Sequence, residues 1–446
     1  MTSEPAPQRL SAPAPVRIDR LAGGGDGVGK LEDGRTVFVP RTATGDLVEL
    51  VDVRMYKRFA RAQVGRLVEP GPGRVEPRCV HYDRDRCGGC QLQHLERERQ
   101  IAAKRTFIGD ALRRLGKLEV SDPEVVSGGD EFGYRTKVTL ARGKGGMLGL
   151  HREGEPDRIF ALERCELMAP ALQSVWDRVR PLQAHLPKDL ERLVLRLDRE
   201  GGVHMIVETS SGDSWTGARD LAEMLGRGAA APAARSAEEL DPVSGRPRRA
   251  TLGGVTIWWH PSGGSPRVVA GGDGRTAYPA TVFEQVNPTM GDQVRRWAVD
   301  QGGDVRGQHC WDLYAGIGET SVMLVEKGAT VESIEGDRRA VALALKHPAL
   351  RTSHIAHAGK VEDLMGTLKR PEVVIANPPR VGMAPKAVDV LAMVRPRRLI
   401  YVSCDPATLA RDVARLSSGW RVVSVKGFDL FPQTAHVETV LVLEAA

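Results

Sequence analysis

Along residues 16–70, apolar and polar positions alternate in short runs. The two-residue period predicts strands at 16–21, 36–39, 47–54 and 59–67, divided by turns at Gly23-Gly24-Gly25-Asp26-Gly27 and Asp33-Gly34. Strands this short, at this spacing, predict a small β-barrel over residues 16–74. Pro70, Pro72 and Pro77, with Gly71 and Gly73, then break the pattern. From 92 to 115 the period lengthens. Ile101, Ile108, Leu112 and Leu115 recur at gaps of seven, four and three, which places them on one face of a helix that Gly116 stops. Core packing is the simplest role for that helix, and the C-terminal part of the chain is a candidate surface for it. Residues 133–209 predict an α+β domain with strands at 137–142 and 193–198. Residues 226–249 hold no aromatic residue and are rich in Ala, Pro, Arg and Ser, the composition of a mobile insertion.

From about residue 266 the rhythm becomes strand, Gly-rich turn, helix, strand. Strands are predicted at 309–313, 330–335, 373–376, 398–403 and 438–443, with helices at 320–327 and 338–346. Alternation of this kind builds a mostly parallel, doubly wound sheet. The fold class is therefore α/β: an N-terminal OB-like barrel, a central α+β domain and a C-terminal Rossmann-like domain. The expected borders are a leader at 1–15, the barrel at 16–74, the central domain at 75–265 and the C-terminal domain at 266–446. A length of 446 residues agrees with about three domains.

Composition narrows the class. An apolar share of 41% with 27% charged residues is ordinary for a globular chain, and no window nears the roughly 18 uninterrupted apolar residues of a membrane span. The Pro-, Ala- and Ser-rich stretch at 1–15 lacks the apolar core of an export signal. A cytoplasmic protein with no membrane partner is expected. Lys and Arg number 63 against 57 Asp and Glu, a mild excess that permits a nucleic-acid partner. Arg54, Lys57, Arg58, Arg61 and Arg66, interleaved with Tyr56 and Phe59, concentrate it on one stretch, which reads equally as a solvated strand edge. Six cysteines are too few for a disulfide scaffold, yet Cys79, Cys87 and Cys90 crowd into twelve residues. With Cys165 they make four soft ligands. Spacing alone favours zinc, and an iron–sulfur cluster is the alternative.

The segment WDLYAGIGETSVML puts Asp312, Gly316 and Gly318 between a strand and a helix, where glycines admit a ligand to the backbone and the helix start offers free N–H groups. Glu335 follows Gly318 by 17 residues, at the end of the next strand, placed to take ribose hydroxyls. The third glycine of a dinucleotide fingerprint is replaced by Ser321, so a nucleoside without a pyrophosphate, such as S-adenosylmethionine, fits better. Further on, Cys404 follows a strand directly, NPPR at 377–380 ends the strand before it, and FPQTAHVET brings His436 and Glu438 to the start of the last one. A thiol, an amide, a guanidinium and a carboxylate thus gather at strand ends, where open α/β sheets hold their active sites.

These residues resemble the TRAM-domain RNA uracil-C5 methyltransferases, which make 5-methyluridine in ribosomal or transfer RNA. The resemblance runs from Val16 onward: the barrel, CVHYDRDRCGGCQLQH, YRTK at 134–137, GLHREG, FEQVN, DLYAGIGE, NPPR, SCDPATLARD and HVET stand in family order. It implies S-adenosylmethionine as methyl donor, Cys404 as nucleophile and Glu438 as base. Gln285, Tyr314, Gly316, Gly318, Glu319, Glu335 and Asn377 fall on cofactor positions. It also implies a 4Fe–4S cluster on Cys79, Cys87, Cys90 and Cys165, with zinc left as the alternative. An RNA partner and a monomer are expected, with 23S ribosomal RNA as the leading target and transfer RNA the runner-up. A non-catalytic RNA-binding or assembly factor on the same scaffold is the rival from another class. Two positions depart from the family: Asn377 stands where Asp is usual, and Glu319 where Asn is common. Neither touches the nucleophile or the base, so an active enzyme is expected.

Overall fold

The computed structural model describes residues 8–9, 14–212, 215–227, 255–271, 282–416 and 419–446. The predicted insertion at 226–249 lies almost wholly outside them. The chain divides into two compact units. The first joins Met1–Arg78, Cys90–Gly129 and Thr289–Ala446, and the second joins Cys79–Gly89 with Asp130–Pro288.

In the first unit, five strands close into a barrel. Val16–Leu21, Gly27–Lys30, Thr36–Val39 and Phe59–Glu69 follow one another around the wall, and Leu47–Met55 pairs with both Val16–Leu21 and Phe59–Glu69. Closure removes the free edges of a small sheet. The alternation seen in the sequence fills the inside with Val16, Ile18, Val37, Val39, Val48, Leu50, Ala60 and Ala62. The strand Gly27–Lys30 is an addition to the sequence reading, because its glycines look like part of the preceding turn. Gly29 has a packing reason: a Cβ there would lie 2.5 Å from Val16 Cγ1 and 2.7 Å from the Arg17 carbonyl oxygen. The buried Asp46 carboxylate accepts N–H bonds from Ala43 and Gly71, each 2.7 Å, and pairs with Arg74, which holds its pKa below the usual carboxylate value.

The same unit carries an eight-stranded sheet. Its order is His354–Ala358, Thr330–Glu335, His309–Leu313, Val373–Ala376, Arg398–Ser403, Glu438–Ala445, Trp420–Phe428 and Val125–Val126. The first five strands are parallel, and Glu438–Ala445 runs antiparallel to both neighbours. Chain direction across the sheet reverses beside His309–Leu313, which has Thr330–Glu335 on one side and Val373–Ala376 on the other. Ligands bind at such switch points, outside the carboxyl ends of the strands. Helix Arg97–Arg114 belongs to this unit. Its Ile108 and Leu112 share one core with Leu409, Ala410 and Val413 of helix Pro406–Arg415.

The second unit is α+β. Seven strands lie in the order Glu155–Ala161, Leu148–Arg152, Lys137–Arg142, Leu190–Leu197, Val203–Thr209, Thr256–Pro261 and Arg267–Ala270. Only Val203–Thr209 and Thr256–Pro261 pair in parallel. Leu172, Val175, Trp176 and Val179 of helix Pro170–Val179 pack on Leu140, Leu193, Leu195 and Met205 of that sheet. No helix among the described residues is long and apolar enough to cross a membrane.

Candidate active site

The Gly-rich turn leaves the central strand His309–Leu313 at the switch point. Tyr314 adopts a left-handed backbone, as do Gly316 and Gly318, so the chain reverses within a few residues before helix Glu319–Glu326 begins. A Cβ on Gly316 would meet nothing within 4 Å, so the backbone there is open to a ligand, whereas one on Gly318 would press on Ala344 and Leu350. Glu335 ends the neighbouring strand. Its two carboxylate oxygens accept N–H bonds from Gly316, 2.9 Å, and Asp337, 2.7 Å. Each oxygen keeps a further lone pair, the geometry needed to accept a pair of ribose hydroxyls.

Beneath the turn sits Asp312, fully buried. It accepts a hydrogen bond from Ser321 Oγ at 2.6 Å, and burial pushes its pKa up to about 6. Glu319 forms an ion pair with Arg295, 3.0 Å, so its side chain is tied to the helix Pro288–Asp300. On the other side of the switch point, the Asn377 N–H donates to the Leu313 carbonyl at 3.2 Å, which joins the NPPR loop to the Gly-rich turn.

Cys404 stands one residue beyond the strand Arg398–Ser403. Asp405 caps the helix that follows by accepting N–H bonds from Ala407, 2.9 Å, and Thr408, 3.1 Å, with Pro406 in the first helical position. Ser403 pairs with Thr439 in antiparallel register. The next step along that ladder brings Cys404 beside Glu438. Burial and the Glu438 charge push the Cys404 thiol up to about 11, while the Arg380 guanidinium, hydrogen-bonded to it, pulls the other way. Glu438 is only 2% exposed, and desolvation raises its pKa to about 7 against a smaller pull from Arg380. A thiol raised by burial and by the neighbouring carboxylate, a carboxyl raised by burial, and a cation that lowers both make a candidate centre for nucleophilic and acid–base chemistry.

The structure thus brings together Tyr314, Gly316, Gly318, Glu319 and Glu335 around one turn, ties Asn377 to it, and places Cys404 against Glu438. Gln285 lies in the second unit. There Arg196 holds its flanks, donating to the Val282 carbonyl at 2.5 Å and pairing with Glu284, and Thr136 N–H donates to the Val286 carbonyl at 2.8 Å. Cys79, Cys87 and Cys165 also belong to the second unit, and Cys90 begins a segment of the first. Cys79 and Cys165 lie close enough that the charge on Cys165 raises the Cys79 thiol further. Among the described residues, no group of three or more His, Cys, Asp or Glu side chains converges as a metal site.

One residue that the sequence reading does not single out is central here. Asp412, fully buried on helix Pro406–Arg415, accepts from Tyr401 OH at 2.7 Å, Met383 N–H at 2.8 Å and Arg411 Nε at 3.0 Å. Arg411 in turn donates to the Val381 carbonyl at 2.7 Å. These bonds fix the loop that carries Arg380. The signals for Asp412 in the sequence are its place at the end of SCDPATLARD and an acidic residue on the apolar face of a helix.

Comparison with known proteins bears on this geometry. A sequence profile described as tRNA (uracil-5-)-methyltransferase matches residues 360–446, the stretch that holds Asn377, Cys404 and Glu438. An RNA methyltransferase of Thermosynechococcus vestitus is 30% identical over 467 residues, covering 96% of this chain and 97% of its own. The 23S rRNA (uracil(1939)-C(5))-methyltransferase RlmD of Pseudomonas putida is 30% identical over 458 residues, covering 96% and 93%. The chain belongs to the RNA uracil-C5 methyltransferase family. It is an S-adenosylmethionine-dependent enzyme of that class. Among solved structures, the Pyrococcus abyssi tRNA (uracil-54, C5)-methyltransferase in complex with S-adenosyl-L-homocysteine shares the fold. Its TM-score is 0.68 at 22% identity, over 96% of this chain and 99% of the other. In this uracil-C5 methyltransferase, the profile match falls on the half of the C-terminal sheet that carries the thiol and the carboxyl.

Proposed function

We propose that the enzyme methylates C5 of a uridine in 23S ribosomal RNA through a covalent bond between Cys404 and C6 of the base. The observation that carries this reading is the placement of Cys404 beside Glu438, with Arg380 on the sulfur. Uracil C5 is too weak a nucleophile to take a methyl group unaided. The Cys404 thiolate adds to C6, and the electron pair of the C5–C6 double bond moves into an enolate with carbanion character at C5. When bound, S-adenosylmethionine supplies the electrophilic methyl group that C5 takes. Glu438 then removes the C5 proton, the C5–C6 double bond re-forms, and the Cys404–C6 bond breaks to return the thiolate. A carboxyl with a pKa of about 7 suits that task, being part ionised at neutral pH yet more basic than an ordinary glutamate. Arg380 favours the thiolate at the start and receives it at the end.

For the methyl donor, Glu335 would hold the ribose and the Tyr314–Gly318 turn the rest of the nucleoside. The open backbone at Gly316 and the two-sided anchoring of Glu335 support the fit. Glu319, Asn377 and Gln285 are assigned to the same ligand by resemblance. For the cluster, Cys79, Cys87, Cys90 and Cys165 would hold four irons and four sulfides, and such a group with four thiolates serves structure. The closeness of Cys79 and Cys165 supports that set. A cytoplasmic monomer completes the reading. Ribosomal RNA is favoured by the relative from Pseudomonas putida, which matches nearly end to end. The test is methyl transfer to separate ribosomal and transfer RNA pools that lack 5-methyluridine. Label in ribosomal RNA supports the reading; label in transfer RNA alone moves the target.

A further inference from the structure

The loop between Phe428 and Glu438 delivers the carboxyl to Cys404, and it has little regular structure of its own. What holds it is a segment more than 300 positions earlier in the sequence. Asp429, fully buried, pairs with the equally buried Lys104 and with Arg97, both on helix Arg97–Arg114. Lys104 Nζ also donates to the Phe431 carbonyl at 3.0 Å. Gln433 exchanges two hydrogen bonds with Gln100: Gln100 Nε2 donates to Gln433 Oε1 at 2.9 Å, and the Gln433 N–H donates to Gln100 Oε1 at 3.0 Å. Its carbonyl accepts the N–H groups of Gln91, 3.2 Å, and Leu92, 3.0 Å. The Ala435 N–H donates to Gln91 Oε1 at 3.3 Å. Every second residue from Asp429 to Ala435 is thereby bonded to the stretch 91–104, all within the first unit.

This is more than the sheet requires. The strand Glu438–Ala445 is already held on both sides by backbone ladders. Gln433 also adopts a left-handed backbone with φ 68°, a conformation that costs a residue with a side chain and persists only where its surroundings impose it. Lys104 and Asp429 give up water for one another, an arrangement that is poor as a source of stability but specific in where it holds the chain.

We propose that Lys104 and Gln100 are positioning residues for proton removal: they fix the 429–437 loop so that Glu438 meets the C5 hydrogen of the Cys404-bound base. The inference rests on the reading of Glu438 as that base.

The test uses the full chain with Lys104→Met, which keeps length but removes the charge, and Gln100→Asn, which withdraws the amide from Gln433. In single-turnover reactions with unmethylated RNA, the Cys404–RNA adduct is followed on denaturing gels, and affinity for S-adenosylmethionine is measured separately. Adduct formation and donor affinity should stay near those of the parent, while adduct breakdown slows by about tenfold or more, as a partial version of Glu438→Gln. Unchanged breakdown in either folded variant overturns the proposal. So does equal loss of donor binding and adduct formation, which would mark a purely structural role. Should Lys104→Met fail to fold, Gln100→Asn decides alone. If Glu438→Gln itself resolves the adduct at the parent rate, the base assignment falls and the proposal falls with it.

Discussion

Cys404 and Glu438 sit side by side because Ser403 is paired with Thr439, so the end of one strand and the start of its antiparallel neighbour meet at the rim of the sheet. The parallel strands beside them aim their own ends at the same rim. One antiparallel strand is therefore what sets a carboxyl against the thiol.

Glu438→Gln separates chemistry from stability. The variant should form the covalent RNA adduct and fail to release it. It should also be more stable than the parent at pH 8. A carboxyl raised from 4.5 to about 7 in the fold keeps a proton that the unfolded chain has released. Its contribution therefore opposes folding increasingly as pH rises from about 4.5 to 7, and the full penalty applies above that. The penalty is on the order of 3 kcal/mol at most. Urea unfolding of both proteins at pH 5 and pH 8 should show a gap that is small at pH 5 and much larger at pH 8.

Arg380→Leu removes the cation that lowers both groups. The Cys404 thiol should then titrate above its value of about 11, and methyl transfer near pH 7 should fall by at least about tenfold, with the pH–rate profile moved to the alkaline side. Alkylation of Cys404 followed by mass spectrometry across pH reads the thiol directly.

Ser321→Ala tests the floor of the cofactor turn. It leaves the buried Asp312 carboxyl without its hydroxyl partner, which should cost about 1–3 kcal/mol in urea unfolding and weaken S-adenosylmethionine binding, measured by calorimetry. Cys404→Ala should bind the donor as the parent does and transfer nothing.

The Cys-rich set is read by metal content. Protein purified and kept without oxygen should contain iron and sulfide in equal amounts with a broad charge-transfer absorption, and Cys87→Ser or Cys165→Ser should lose both. Zinc in their place, with no such absorption, would assign the site to the alternative raised by the cysteine spacing.

Much of the first unit is legible from the chain alone. Alternation in residues 16–67 gave four of the five barrel strands, and the Gly-rich turn, Glu335 and Cys404 could be placed at strand ends because apolar runs stop directly before them. The strand Gly27–Lys30 was hidden, since glycine there answers to a close backbone crossing rather than to a turn. Helix Arg97–Arg114 could be recognised by its period and read as a core-packing helix, yet not its hold on the 429–437 loop. The pairs Lys104–Asp429 and Gln100–Gln433 join residues 325 and 333 positions apart, and nothing local in either stretch announces the other. Asp412 was hidden for a related reason. A carboxylate that takes bonds from a tyrosine, a loop amide and its own neighbour is defined by three-dimensional packing, and in the sequence it is only the last letter of SCDPATLARD, with nothing to announce those partners.

As proposed above, Cys404 and Glu438 carry uracil-C5 methylation. The most direct measurement incubates the purified protein with methyl-labelled S-adenosylmethionine and bulk RNA lacking the modification, then separates the nucleosides. Label in 5-methyluridine, absent with Cys404→Ala, is the expected result. No label from a protein that still binds both donor and RNA, or label in 5-methylcytidine, would contradict it.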